Sequence, residues 1–492
     1  MRQKAHSTVL MVAALVAATT GAAQQPFDLD AGFGTNIQEE YISSVLPLAN
    51  GSVLISGRMV FNGDDPFTPR YGARLNSTGA RDPSFTPYPT MGGVLKPWGN
   101  KFYSGGQEVM RLNMNGTTDG SFGPMYESPY FGSLQGGDYH VFPDGRVLMS
   151  GAHVLSDTAR GFEGLYNLIW FTNTGYLDTA RTHRRSNGTM VEFEAMLDGK
   201  FICSTQGTTY EGQPITKLFR VDSTGALDAV FSTPIDTWGW CQVIRPLSDG
   251  RILTGGTYRL ATTTDTLCLF RLLPEGSLDP EFHIAEFKNT SLASTSPYVN
   301  DILVMPDSRM VVTGNFDLID GEPRRGIALL NSDGTLSDDA FVDAGCGVFN
   351  YEPFGAGNGI YPQRRISGIV PAPDGSYYIH GSYWGYDDGS TEHPTQRFVS
   401  RLHGLSVGIR EQEQCAFKLS PNPASGVINL DLDKLPVDGE LVLRDAPGRE
   451  MMRRRLTSHY TTLELGTLNA GVYLVELFSE GKRIGAQRLV VE

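Results

Sequence analysis

A block that recurs seven times constrains this chain more than any other feature. It reads VLPLANGSVLISG from Val45 to Gly57: an apolar run, a tight turn, and a second apolar run that ends in glycine. It returns as VFPDGRVLMSG (141–151), VIRPLSDGRILTGG (243–256), ILVMPDSRMVVTG (302–314) and IVPAPDGSYYIHG (369–381), with looser copies at 94–106 and 194–205. A second block follows each copy after a variable loop. It reads ARLNSTGARDPSF from Ala73 to Phe85 and recurs as FRVDSTGALDAVF (219–231), FRLLPEGSLDPEF (270–282) and ALLNSDGTLSDDAF (328–341). Alternating apolar residues set a strand period of two. Asp-Gly, Asn-Gly and Thr-Gly supply the backbone angles of two-residue turns. Each block is therefore a hairpin, and two hairpins predict four strands per unit.

Units of four strands recurring every 40–65 residues or so bury their faces only against one another. The expected fold is all-β: a seven-bladed β-propeller over residues 27–404, then a small Ig-like β-sandwich. The first block is present seven times and the second only six and a half times. The missing half lies at the front, where FDLDAGF (Phe27 to Phe33) ends like the LD-x-x-F of the second block. The N-terminal segment is therefore expected to supply the last strand of the final blade. Asp30, Asp82, Asp119, Asp178, Asp228 and Asp279 recur at one place in the repeat. Their equivalence predicts turn-capping carboxylates, since a short acidic side chain accepts nearby backbone N–H groups.

The pattern G-x-F…RLN-x-DG-x-LD-x-x-F resembles the delta-60 repeat family of bacterial exported proteins. Gly314-Asn315-Phe316, Arg325-Gly326-Ile327-Ala328 and Asn331-Ser332-Asp333-Gly334 carry the resemblance best. It implies the fold and no chemistry.

The two ends of the chain speak about destination. Arg2 and Lys4 precede an apolar stretch from Val9 to Ala18, and small residues follow to Ala23, so residues 1–23 read as a cleaved signal peptide. The apolar stretch is well short of the roughly 20 residues that span a bilayer, so the chain is not expected to cross a membrane. Beyond a polar linker at 405–415, residues 416–492 alternate strands with Gly, Pro and Asn turns. Pro421-Asn422-Pro423 with Gly426, the run Gly471-Val472-Tyr473-Leu474-Val475, and Arg488 ahead of an apolar end resemble the type A C-terminal sorting domain of the type IX secretion system of Bacteroidota. That resemblance implies the secretion machinery as a partner, passage across the outer membrane, removal of the domain, and a secreted or surface-displayed product.

Of 492 residues, 40 are Lys or Arg and 54 are Asp or Glu, a net charge of −14, which argues against nucleic acid as a partner. The tail carries ten of each sign, so once the signal segment is gone the whole excess of −16 lies on residues 24–415. Five cysteines at 203, 241, 268, 346 and 415 show no C-x-x-C spacing, and buried thiols with at most one bridge are expected. Gly404 to Gly408 spells G-x-S-x-G in the linker, outside the strand-to-helix setting a nucleophile elbow needs. No cofactor and no metal are expected.

Specificity should lie where the chain departs from its repeat. Insertions at 346–365 and 383–396 offer Tyr351, Trp384 and Tyr386 as stacking groups, with Asp387 and Asp388 as hydrogen-bond acceptors. Two readings stay open: a non-enzymatic scaffold that binds extracellular glycan or protein, and a polysaccharide-active hydrolase or lyase using carboxylates on one face of the ring.

Overall fold

Seven antiparallel sheets follow one another along residues 37–402 of the computed structural model. The structure describes residues 25–491 except 66, 124, 126–129, 293–295, 352–360, 390, 405–416, 433–434, 437, 446–448, 467 and 480–481. The expected signal segment, the linker and Cys415 lie outside the described residues. The first sheet joins Ile37–Pro47, Val53–Phe61 and Arg70–Leu75. The second joins Val94–Trp98, Lys101–Gly105 and Val109–Asn113, and the third Phe131–Val141, Val147–Asp157 and Phe162–Phe171. Met190–Ala195, Phe201–Thr205 and Leu218–Val221 form the fourth, and Ile235–Pro246, Ile252–Leu260 and Thr266–Leu272 the fifth. The sixth joins Tyr298–Val304, Met310–Asn315 and Ile327–Leu330; the seventh joins Arg365–Pro371, Tyr377–Asp387 and Glu392–Leu402.

Period-two alternation makes the ring. In the first sheet Val53 and Ile55 pack with Tyr378 and Phe398 of the seventh, while Leu54 between them packs with Leu95 and Phe102 of the second. Leu148 turns to the fourth sheet and its neighbours Val147 and Met149 to the second. Ile252 faces the fourth sheet and Leu253 the sixth. Ile379 completes the circuit against Val311 of the sixth sheet. Each core thus lies between consecutive sheets, and the last lies between the seventh and the first. A unit alone would leave both faces wet, so the cores exist only through the neighbours.

The expected fourth strand is reduced to a single bridge per unit: Leu75 to Arg81, Leu112 to Thr118, Phe171 to Leu177, Val221 to Leu227, Leu272 to Leu278 and Leu330 to Leu336. After that bridge the chain leaves for the next sheet, and side chains take over from backbone pairing. Arg271 holds Asp279 at 2.6 Å, Arg111 holds Asp119 at 2.6 Å, Arg220 holds Asp228 at 2.9 Å and Arg74 holds Asp82 at 2.7 Å. The same guanidinium groups donate to carbonyls of the next unit: Arg111 to Asn173 at 3.0 Å, Arg220 to Pro274 at 2.6 Å and Arg271 to Ser332 at 2.5 Å. The clasp therefore ties consecutive blades as well as closing its own.

The ring closes through the N-terminal segment. Leu29 bridges Leu402, Phe27 N–H donates to His403 O at 3.0 Å, and Asp30 N–H donates to Arg401 O at 2.8 Å. Arg401 meets Asp30 at 3.1 Å, which reproduces the clasp with residues from opposite ends of the ring. Among the described residues Cys203, Cys241, Cys268 and Cys346 are buried free thiols.

The C-terminal unit is a separate compact body with its own core. One sheet joins Phe417–Ser420, Val427–Leu432 and Tyr460–Glu464. The other runs Glu450–Arg455, Glu440–Asp445, Gly471–Ser479, Lys482–Val491. Ile428 and Leu430 of the first meet Leu441, Val475 and Leu489 of the second in a two-layer sandwich.

Candidate functional site

The tail motifs, far apart in sequence, converge on the last strand. Asn422 Nδ2 donates to Arg488 O at 2.7 Å, and Val490 N–H donates back to Asn422 Oδ1 at 2.9 Å. Ala424 bridges Val491 beside them. With Pro421 and Pro423 flanking it, Asn422 works as an amide clip along the outer side of the terminal strand. Gly426 sits at φ 86°, in the left-handed region that favours glycine, and its carbonyl accepts from Leu465 N–H at 2.7 Å. On the other side of the terminal strand, Gly471 pairs with Val491 and Tyr473 with Leu489. The buried Tyr473 donates its hydroxyl to Asn469 O at 2.8 Å. The Arg488 side chain is exposed.

On the ring, the insertion residues are brought together but are already engaged. Trp384 is half-buried, with the Arg397 guanidinium 4.3 Å from its ring centroid and Phe349 stacked parallel at 6.3 Å. Tyr386 is 1% exposed and its hydroxyl, buried in the core, has no hydrogen-bond partner. This corrects the expectation that Tyr386 stacks a ligand: the strand pairing is irregular between Trp384 and Tyr386, with Gly385 at φ 84°, and this break in the alternation turns Tyr386 inward beside Tyr383 and Cys346. Asp387 pairs with Arg325 at 2.8 Å and accepts Gly389 N–H at 2.9 Å. Asp388 accepts Thr391 N–H at 2.8 Å and lies 3.5 Å from His393. Tyr351 ends a short strand, Phe349–Tyr351, that pairs with Tyr361–Gln363. These contacts dock the insertion onto the seventh sheet.

The six recurring aspartates do as their equivalence predicts. Each accepts the N–H two residues on, at 2.9 Å in Asp30, 2.8 Å in Asp82, 3.1 Å in Asp119, 3.2 Å in Asp178, 3.2 Å in Asp228 and 3.0 Å in Asp279. The Ser84 hydroxyl and N–H, with Arg74, bring Asp82 down to about 2. Burial pushes Asp279 up, but the Glu281 N–H, Arg271 and Arg251 outweigh it and hold the carboxyl below its ordinary range.

Two arrangements escape a reading of the sequence. The first strands of the second to sixth sheets carry a line of charge: Lys96 with Asp138 at 3.1 Å, Glu192, Glu194 3.8 Å from Arg245, and Arg245 with Asp301 at 2.6 Å. Burial, then the neighbouring Asp138, raises Glu192 well above the ordinary carboxylate range, and burial raises Glu194. Among the described residues no group of three His, Cys, Asp or Glu could hold a metal ion. The other arrangement is a cleft of about 990 Å³ between the first two sheets. Tyr41, Tyr71 and Tyr88 line it over Gly57, Gly92, Gly93, Gly105 and Gly106, with Gln107 and Glu108 at the edge. The sequence trace of it is Tyr88 in TPYPTMGG, a segment that joins one repeat to the next and carries no motif.

Residues 418–492 match the family of the secretion system C-terminal sorting domain. The tail is a sorting domain. It marks the chain for the type IX secretion route, and the protein is secreted or displayed at the cell surface. Residues 247–282 and 306–336, in the fifth and sixth sheets, match a beta-propeller domain of unknown function, DUF5122. No curated protein matches the chain. Among solved structures it is similar to PorZ, an essential bacterial surface component of the type-IX secretion system of Porphyromonas gingivalis, at 11% identity over 92% of this chain and 81% of that one, with a TM-score of 0.27. It is also similar to the extracellular domain assigned to a hybrid two-component system of Bacteroides thetaiotaomicron, at 8% identity over 94% of this chain and 60% of that one, with a TM-score of 0.38. No helix among the described residues is long and apolar enough to cross a membrane.

Proposed function

We propose that the exported ring is a non-enzymatic scaffold that binds an extracellular glycan or protein. The observation that carries this reading is the tyrosine-lined cleft, a concave surface with aromatic faces on a ring whose six recurring aspartates are spent on clasps and turns. The division into a signal segment at 1–23, a ring at 27–404, a linker at 405–415 and a sorting tail from 416 belongs to the same reading. It is supported by two compact units and by the family match from residue 418. Trp384, with Tyr351, Asp387 and Asp388, stays in it as a second contact region. The test is a glycan array probed with the exported protein. Saturable retention on a subset of glycans is the expected result, and a uniform absence of retention on glycans and on extracellular protein extracts counts against it.

A second reading, a polysaccharide-active hydrolase or lyase, is favoured by one observation: Glu192 and Glu194, a step of two apart on one strand, are both held toward the protonated state. General acid chemistry needs such a carboxyl. Release of new reducing ends or unsaturated sugars from a polysaccharide panel would establish it.

A further inference from the structure

We infer that the cleft between the first two sheets binds a neutral oligosaccharide, with Tyr41, Tyr71 and Tyr88 as stacking groups; this rests on the scaffold reading and gives it a ligand class.

Four features point to this chemistry. A pyranose presents a flat C–H face and a rim of hydroxyls, and it is met by aromatic faces with polar groups beside them. Tyr41 and Tyr71 are 39% and 38% exposed, so their rings remain accessible while still anchored in the first and third strands of their sheet. The floor is glycine: Gly57, Gly92, Gly93, Gly105 and Gly106 put no side chain into the cleft, so a flat ring can approach the backbone closely. A Cβ on Gly93 would collide with Gly105 O, whereas one on Gly106 meets nothing within 4 Å, so the floor is closely packed below and open above. At about 990 Å³ the cleft sits at the upper end of the range of small-molecule sites and has room for several sugar rings.

Charge selects among sugars. Among the described lining residues the titratable group besides the tyrosines is Glu108, which burial raises above the ordinary carboxylate range. Among the described residues no cation lines the cleft to compensate a uronate or sulfate, and the chain's net charge of −14 repels both. A half-buried carboxyl beside Gln107 instead offers hydrogen bonds to neutral hydroxyls. The position agrees with the rest of the ring. Tyr41 lies in the first half of the first strand, Gly105 where the second ends and Tyr71 where the third begins. In the seventh sheet the same end carries the insertion, Trp384 and Asp387. Departures from the repeat gather on one face, as binding loops in repeat proteins do.

The test is isothermal titration of the full exported chain with maltohexaose, cellohexaose, xylohexaose, mannohexaose and laminarihexaose, and with a proline-rich peptide as a competitor of another class. Three variants accompany it. Tyr71→Ala removes a stacking ring, Gly106→Trp fills the cleft at a position with open space and no strained φ, and Trp384→Ala probes the insertion region. Circular dichroism melts confirm folding. At least one hexasaccharide should bind at millimolar affinity or better. Tyr71→Ala should weaken it tenfold or more, Gly106→Trp should abolish it, and both effects should exceed that of Trp384→Ala. Binding that survives both cleft variants and fails in Trp384→Ala overturns the cleft while leaving the scaffold reading intact. Binding of the peptide alone overturns the ligand class. Silence toward the whole panel, with the variants folded, overturns the proposal.

Discussion

Asp279 shows how one residue can be written into the fold by two partners. Its side chain is 2% exposed, it holds Arg271 at 2.6 Å, and it caps its own turn through Glu281 N–H. Replacing it with Ala leaves a buried guanidinium uncompensated, so Asp279→Ala should cost about 3 kcal/mol in a urea titration. The carboxyl lies below its ordinary range in the folded state, so its contribution is present above the unfolded-state value near 4 and is lost as pH falls below that. Glu192 has the opposite sign. Its folded-state value lies above the unfolded one, so it stabilises at low pH and opposes folding once pH rises through the folded value. Glu192→Gln is therefore expected to raise the melting temperature at pH 8 and to change it little at pH 4, as thermal scans at the two pH values will read. The sequence made the aspartates legible, because a residue repeated at one place in every unit has a structural cause. It hid Glu192, because one carboxylate on an alternating strand carries no mark of what the neighbouring strand places beside it.

At the scale of elements, the hairpins were legible and the fourth strand was not. Period two and the Gly turns dictate the first three strands, but the LD-x-x-F segment looks like a strand and makes one bridge before crossing to the next sheet. The crossing explains the glycine in the turn it meets. Gly276 has φ 105°, and a Cβ on it would collide with Ser232 O of the preceding crossing. The same holds for Gly116 against Thr86 O and Gly175 against Gly123 O. Gly276→Ala combines a positive φ with a backbone clash and should lose about 2 kcal/mol or more in chemical denaturation. Gly106→Ala, in open space, should stay within about 0.5 kcal/mol of the parent. The insertion aromatics were found by the sequence, but their direction was not. Trp384 and Tyr386 share a parity, yet the irregular pairing between them at Gly385 sends Trp384 toward the core with the first sheet and Tyr386 into the core with the sixth, and a break of this kind leaves no mark in the apolar pattern.

For the whole molecule, the chain divides into two bodies, a tail that sets the destination and a ring that carries the proposed binding. In the tail, one amide clips the terminal strand to the opening motif, so Asn422→Ala removes two hydrogen bonds and should lower the stability of the tail by about 1–2 kcal/mol. Deleting 416–492 should leave the ring folded in the periplasm, which fractionation and surface proteolysis will read. Surface display of that deletion would contradict the assigned route. The motifs of the tail were legible because their order and terminal position are specific; the cleft was not, since it joins a strand, a connecting loop and the next unit. The central claim is an exported ring that binds without cleaving. Its most direct test incubates the exported protein with the glycan it retains and follows reducing ends over time beside the Glu192→Gln, Glu194→Gln double variant. The expected result is a bound polymer recovered at its original length, with no reducing ends above background. Reducing ends that accumulate with the parent chain and vanish with the double variant would contradict it.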